Sequence, residues 1–279
     1  MRLCMHSYTF RAYPLDRALK KSAQYGWDGL ELNGKHFDAA NLKTSLDEII
    51  EKAAKHGVDI TVIDFPGNFI QDDRDAAKRS VEQIAHWISL VRNYGIQIMN
   101  GGVGSLVGEN PRDYGRNGSA LATDEHYERA ASALRQLGAQ AESEGVTLTL
   151  EIHMNTLHDT AASTLKLLNM VGSRAVLANP DPGNMYATST AEDGVQAIST
   201  LAGRIGLAHL KNCVNVNGAY NYSTLLESGD IDFFKVLDAL KKTGYDGPIT
   251  IEYCGLGDPN VAAARDIVYA RSVLNELSE

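Results

Sequence analysis

Cysteine is scarce in this chain: Cys4, Cys213 and Cys254 stand far apart, with no CxxC pair among them. That spacing fits reduced thiols acting as small apolar fillers better than a disulfide framework. Basic charge is short as well, with 26 Lys and Arg against 35 Asp and Glu, a net charge of −9 and a pI near 5.4. The deficit speaks against a nucleic-acid partner or any other polyanion, because a phosphate backbone is normally met by a basic stripe. No apolar run approaches membrane-spanning length, and residues 1–6 read straight into a strand without an apolar leader or a cleavage site. A cytoplasmic protein without a membrane partner is the expectation. No Pro/Gly/Ser-rich linker interrupts the 279 residues, a length that suits one large α/β barrel or two smaller domains.

What the chain does have is alternation. Strand-like segments fall near residues 2–7, 28–32, 59–64, 96–100, 146–151, 175–179, 205–210 and 248–252, and each after the first follows a helical pattern. Several of those helices run into a glycine suited to a left-handed cap: Gly26, Gly57, Gly95, Gly145 and Gly244. Apolar stripes at helical spacing (Leu15, Leu19 and Ser22 into Tyr25; Ile84, Trp87, Ile88 and Val91; Leu134, Leu137 and Ala141) read as core-facing sides. Tyr25-Gly26-Trp27-Asp28-Gly29-Leu30 and Gly244-Tyr245-Asp246-Gly247-Pro248-Ile249 look like one loop used twice. The pattern predicts an α/β fold, a (β/α)8 TIM barrel forming a single catalytic domain over residues 1–279. A doubly wound open sheet is the alternative, and no Gly-x-Gly-x-x-Gly turn supports it. Residues 101–123 and 212–230, the latter with Tyr220 and Tyr222, are long enough to cover a site.

Two near-twin segments carry the chemistry: Thr147-Leu148-Thr149-Leu150-Glu151 and Pro248-Ile249-Thr250-Ile251-Glu252 each end a run of β-formers in a carboxylate. A carboxylate held away from water is costly unless it is paired or bound to a metal. Asp181 and His209 end two further apolar segments, so three carboxylates and an imidazole lie at the ends of strands five to eight. A barrel gathers such ends at one mouth. The set suits a hard divalent cation, Mn²⁺ foremost or Mg²⁺, with Co²⁺ or Zn²⁺ also compatible. Taken singly, each residue has a plainer reading: a strand-end glutamate capping a helix or pairing with lysine, Asp181 in a simple turn, His209 as a satisfied core histidine.

Taken in order, these segments resemble the xylose isomerase-like TIM barrels, specifically the sugar isomerases and epimerases of the D-tagatose 3-epimerase-like group. The resemblance covers essentially the whole chain. It rests on Trp27-Asp28-Gly29-Leu30-Glu31-Leu32, Leu150-Glu151-Ile152-His153, Asp181-Pro182-Gly183-Asn184, His209-Leu210-Lys211-Asn212 and Ile251-Glu252. It implies a metal held by Glu151, Asp181, His209 and Glu252, with Glu151 and Glu252 also moving the substrate proton. The implied reaction is isomerisation or epimerisation of a ketose or keto-sugar by proton abstraction beside the carbonyl, through a metal-stabilised enediolate. Two departures stand out: Asn184 where the family often has histidine, and Asn212 where it often has aspartate.

His153, Asn184, Lys211, Glu31, Asp64 and His6 are the candidate substrate-binding residues, with structural pairing the other reading of Glu31 and Asp64. Tyr8 and Asn100 lie at other strand ends, and residues 255–259 offer backbone N–H groups to a phosphate, opposed by Asp258. The partner expected is a small sugar, with a homo-oligomer left open. The nearest rival is a dehydratase or lyase on a keto-sugar or inosose, including C-glycoside cleavage, which starts from the same enolate. A non-catalytic sugar-binding protein and an apurinic-site endonuclease are remoter, the latter opposed by the chain's acidity.

Overall fold

The twin loops of the sequence are twins in space as well. Gly26 and Gly244 both take positive φ, 73° and 78°, and a Cβ on Gly29 or Gly247 would stand 2.6 Å from Thr61 Cγ2 or 2.5 Å from Tyr245 Oη. Each loop thus turns from helix to strand at a residue that needs left-handed backbone and enters the strand where a side chain has no room. The computed structural model describes residues 1–188 and 192–279. Strands and helices alternate along it, and the chain divides into two compact units, Met1–Ile63 with Ala208–Glu279, and Asp64–Leu207.

The first unit holds β1 (Arg2–His6), α1 (Leu15–Tyr25), β2 (Gly29–Leu32), α2 (Leu42–His56) and most of β3 (Ile60–Phe65), which straddles the division. It resumes with β7 (Ala208–Leu210), a hairpin of β8 (Val214–Val216) and β9 (Ala219–Asn221), α8 (Phe233–Lys242), β10 (Pro248–Ile251) and α9 (Pro259–Glu276). Its parallel strands run in the order β3, β2, β1, β10, β7. Side chains alternate along a strand, so register decides which groups share a face. Cys4 pairs with Gly29 and Thr250, Thr250 with His209, and His6 with Glu31. His6 and Glu31 lie two residues beyond Cys4 and Gly29, as Glu252 lies two beyond Thr250. All three therefore project on the face that carries His209, while Leu30, Leu210, Ile249 and Ile251 alternate to the other face and are buried.

The second unit holds α3 (Arg74–Arg92), β4 (Ile98–Gly101), α4 (Asp124–Glu144), β5 (Thr147–Glu151), α5 (Ala161–Val171), β6 (Val176–Asn179), the short α6 (Pro182–Tyr186) and α7 (Gly194–Thr200). The stripes Ile84, Trp87, Ile88, Val91 and Leu134, Leu137, Ala141 are buried as expected, and α3 packs on α4. On β5, Leu148 and Leu150 are buried on one face. Thr149 on the other gives its hydroxyl to Asn100 Oδ1 at 3.0 Å, which also accepts from Asn179 Nδ2 at 3.0 Å. Asn100 is thereby the hub of a buried polar layer. Glu151, two residues past Thr149, lies on the same face.

Several details depart from the sequence reading. Tyr8 lies in a 3-10 turn (Ser7–Phe10) after β1. The seventh barrel strand is only Ala208–Leu210, with Ile205 contributing an isolated bridge. Residues 212–230 contain the β8–β9 hairpin, and Asp181 opens a short helix in place of a turn. Thr160 caps α5, its hydroxyl accepting from Ser163 N.

Candidate active site

In the first unit the strand-end groups form one connected cluster. His209 and Glu31, 1% and 0% exposed, meet at 2.9 Å between Nε2 and Oε2. Lys211 Nζ donates to Glu252 Oε2 at 2.8 Å, while His6 Nδ1 lies 3.2 Å from Glu252 Oε1 and His6 Nε2 3.7 Å from Glu31. Burial works to raise the Glu31 carboxyl, but His209 and His6 outweigh it and hold it below its ordinary value. Glu252 is likewise burdened by burial, and Lys211 followed by His6 pulls it well below the usual carboxylate range. Both glutamates are therefore anions at neutral pH. Tyr222, on the loop after the hairpin, presents its ring 5.7 Å from Lys211 Nζ.

In the second unit Asp181 N-caps α6, its Oδ1 accepting from Asn184 N at 3.1 Å. Asn184 Nδ2 then donates to Asp181 Oδ2 at 3.0 Å and to Glu151 Oε1 at 2.9 Å. Both carboxylates can only accept, so the amide's NH₂ must face them. Two carboxylates sharing one neutral amide is like-charge crowding, which a cation relieves. The neighbouring His158 is fully buried, and burial lowers it to about 4, so it is neutral.

Each expected residue can thus be placed. His6, Glu31, His209, Lys211 and Glu252 are brought together in the first unit; Glu151, Asp181 and Asn184 are brought together in the second. Asp64 lies half-buried on β3. His153 is exposed, with Nδ1 3.0 Å from the Met154 carbonyl. Because β5 stops at Glu151, the two-residue alternation of the strand does not extend to His153. Residues 255–259 are turned to internal use: Leu256 N donates to Ser223 Oγ, Gly257 N to Tyr253 Oη, and Asp258 caps α9. Asn212 spends its amide on the loop that follows, giving Nδ2 to Leu226 and Ile231 carbonyls and taking Cys213 N and Ile231 N on Oδ1. An aspartate could accept those two N–H groups but not make the two donations, which accounts for the amide at this position. The sequence missed Thr9 and Arg11, polar residues just past β1 that carry no motif, and the Asn100–Thr149–Asn179 layer, of which only Asn100 was flagged.

The xylose isomerase-like TIM barrel family model matches residues 19–273. The chain belongs to that family. The (β/α)8 barrel expected from the alternation is therefore its fold. Among its relatives, the L-ribulose 3-epimerase of Mesorhizobium japonicum is 26% identical over 90% of this chain and 80% of its own length. The inosose dehydratase of Mesomycoplasma hyopneumoniae is 22% identical over 94% of this chain and 87% of its own. A xylose isomerase-like TIM barrel protein from Mycobacterium smegmatis, solved in complex with magnesium, superposes with a TM-score of 0.82 at 20% identity, covering 99% of this chain and 97% of the other. This family member thus has relatives among both sugar epimerases and inosose dehydratases.

Proposed function

We propose that the chain is a single-domain, divalent-metal-dependent isomerase or epimerase of a ketose or keto-sugar, with Glu151, Asp181, His209 and Glu252 holding the ion. The observation that carries this reading is that each donor lies on or just past a different parallel strand: Glu151 ends β5, Asp181 caps α6 two residues beyond β6, His209 lies on β7 and Glu252 directly follows β10. The donor chemistry fits a cation: the crowded Glu151–Asp181 pair needs positive charge nearby, and the Glu31–His209 contact takes Nε2 and orients Nδ1 as the ligating nitrogen. Carboxylates with one imidazole suit Mn²⁺, Mg²⁺, Co²⁺ or Zn²⁺, with Mn²⁺ the first choice. When bound, such an ion polarises the substrate carbonyl and the neighbouring hydroxyl oxygen.

The residues supply the rest. Glu252 is held ionised by Lys211 and His6, so it can take the proton from the carbon beside the carbonyl. Glu151, having taken up a proton from solvent, returns it on the opposite face for epimerisation or at the adjacent carbon for isomerisation, while the proton held by Glu252 is released to solvent, and the roles exchange in the reverse direction. Asn184, His6, Lys211, Glu31 and Asp64 surround the hydroxyls, with Lys211 also keeping Glu252 anionic. His153 is assigned to the rim. The sugar epimerase relatives support this outcome. The inosose dehydratase relatives favour a second reading, in which the same abstraction ends in loss of water. Incubation with a panel of ketoses and inososes separates them: a product of unchanged mass supports isomerisation or epimerisation, and an unsaturated product supports elimination.

A further inference from the structure

We propose that Arg11 is a positioning residue for Glu252, clamping the backbone that leaves β10 so that the carboxylate is held in place for proton transfer. This rests on the role assigned to Glu252 above. Arg11 follows the 3-10 turn after β1, half-buried and far from Glu252 in sequence. Its Nη2 donates to the carbonyls of Cys254 and Gly255, both at 2.8 Å, and its Nη1 to those of Tyr253 and Tyr8, both at 3.4 Å. The guanidinium also stacks on the Tyr8 ring, 4.6 Å from its centroid. One planar fork thereby reads three consecutive carbonyls directly after Glu252, where the chain has left the sheet and those groups have lost the ladder.

The neighbouring bonds make this a device for Glu252 in particular. Glu252 N donates to Leu210 O at 3.0 Å and Tyr253 N to Thr9 Oγ1 at 3.2 Å. Thr9 and Arg11 belong to the same short segment as His6, whose Nδ1 faces Glu252 Oε1 at 3.2 Å. Residues 6–11 thus grip Glu252 twice, at its carboxylate through His6 and at its following backbone through Thr9 and Arg11. A lysine keeps the charge but is a point donor on a flexible stem and cannot span the carbonyls. An ångström of misplacement at a proton-transfer group is enough to cost about a hundredfold in rate.

The test compares Arg11→Lys and Arg11→Ala with the wild-type protein in two independent assays. The first is steady-state kinetics on whichever ketose of the panel the wild type turns over. The second is the rate of labelling by 5,5′-dithiobis(2-nitrobenzoate), which reads Cys254: this half-buried residue lies inside the clamped segment, whereas Cys4 and Cys213 are buried. The expectation is that Arg11→Lys lowers kcat by about tenfold to a hundredfold with KM within about twofold, and that Cys254 labels about fivefold faster or more. Wild-type kcat in Arg11→Lys overturns the proposal, as does a lowered kcat with unchanged labelling, or an effect confined to KM, which would make Arg11 a substrate contact. If the wild type turns over no sugar, the functional reading fails by itself. The clamp is then judged by labelling alone, faster in support and unchanged in refutation.

Discussion

At the scale of the residue, two strand-end glutamates are assigned a chemistry their positions invite. Glu151→Gln and Glu252→Gln keep size and one acceptor oxygen while removing the proton acceptor, so each should lower kcat by about a thousandfold or more while leaving the melting temperature within a few degrees. Steady-state kinetics with calorimetry on the same preparations checks this; retained turnover in both variants contradicts the assignment. Glu31 has a different task in the proposal, since it meets His209 Nε2 inside the fold and would leave Nδ1 as the nitrogen offered to an ion. Glu31→Gln should weaken metal binding by about tenfold to a hundredfold, measured by titration calorimetry. These carboxylates were legible in the sequence because a β-run that stops on a charge stands out. What Glu31 does was not legible, because its partner is 178 positions away and only register brings them together.

At the scale of the element, strands were legible where β-branched runs alternate and helices where a stripe meets a glycine. The β8–β9 hairpin was hidden because its strands are only three residues each and lie in a polar stretch that reads as loop. Its connection to the body runs through Asn212 and through Asp266 on α9, whose Oδ1 accepts from Leu226 N at 3.0 Å. Burial raises Asp266 to about 7, with Glu227 adding to the rise and the bond to Leu226 opposing it. A carboxyl whose folded value lies above its unfolded value binds protons more tightly when folded. Its contribution is therefore present below pH about 4 and lost as pH rises towards 7. Asp266→Asn removes that dependence, so the gap between variant and wild-type stability should shift in the variant's favour from pH 4 to 7, by at most about 4 kcal/mol. Urea melts across that range test it, and parallel stability curves would contradict it.

At the scale of the whole molecule, the barrel was readable from the alternation of strands and helices, and family membership confirms it. The choice between epimerisation and elimination was not readable, because both reactions begin with the same proton abstraction and need the same donors. The identity of the proposed metal was not readable for a similar reason, since carboxylates and one imidazole serve several divalent ions. Purified protein should carry about one divalent ion per chain, lose turnover on chelation and regain it with Mn²⁺. Saturating metal should also raise the melting temperature by several degrees, about 2.7 kcal/mol of stabilisation at a hundredfold excess over Kd. Elemental analysis and thermal shift with and without chelator read both. No helix among the described residues is long and apolar enough to cross a membrane.

The most direct test of the central claim is NMR of a ketose panel incubated in D₂O with the Mn²⁺-loaded protein. Deuterium should enter at the carbon beside the carbonyl, with an epimer or isomer accumulating without loss of water, and incorporation should vanish in Glu252→Gln. An unsaturated product, or epimer formation without deuterium uptake that survives in Glu252→Gln, would contradict the account.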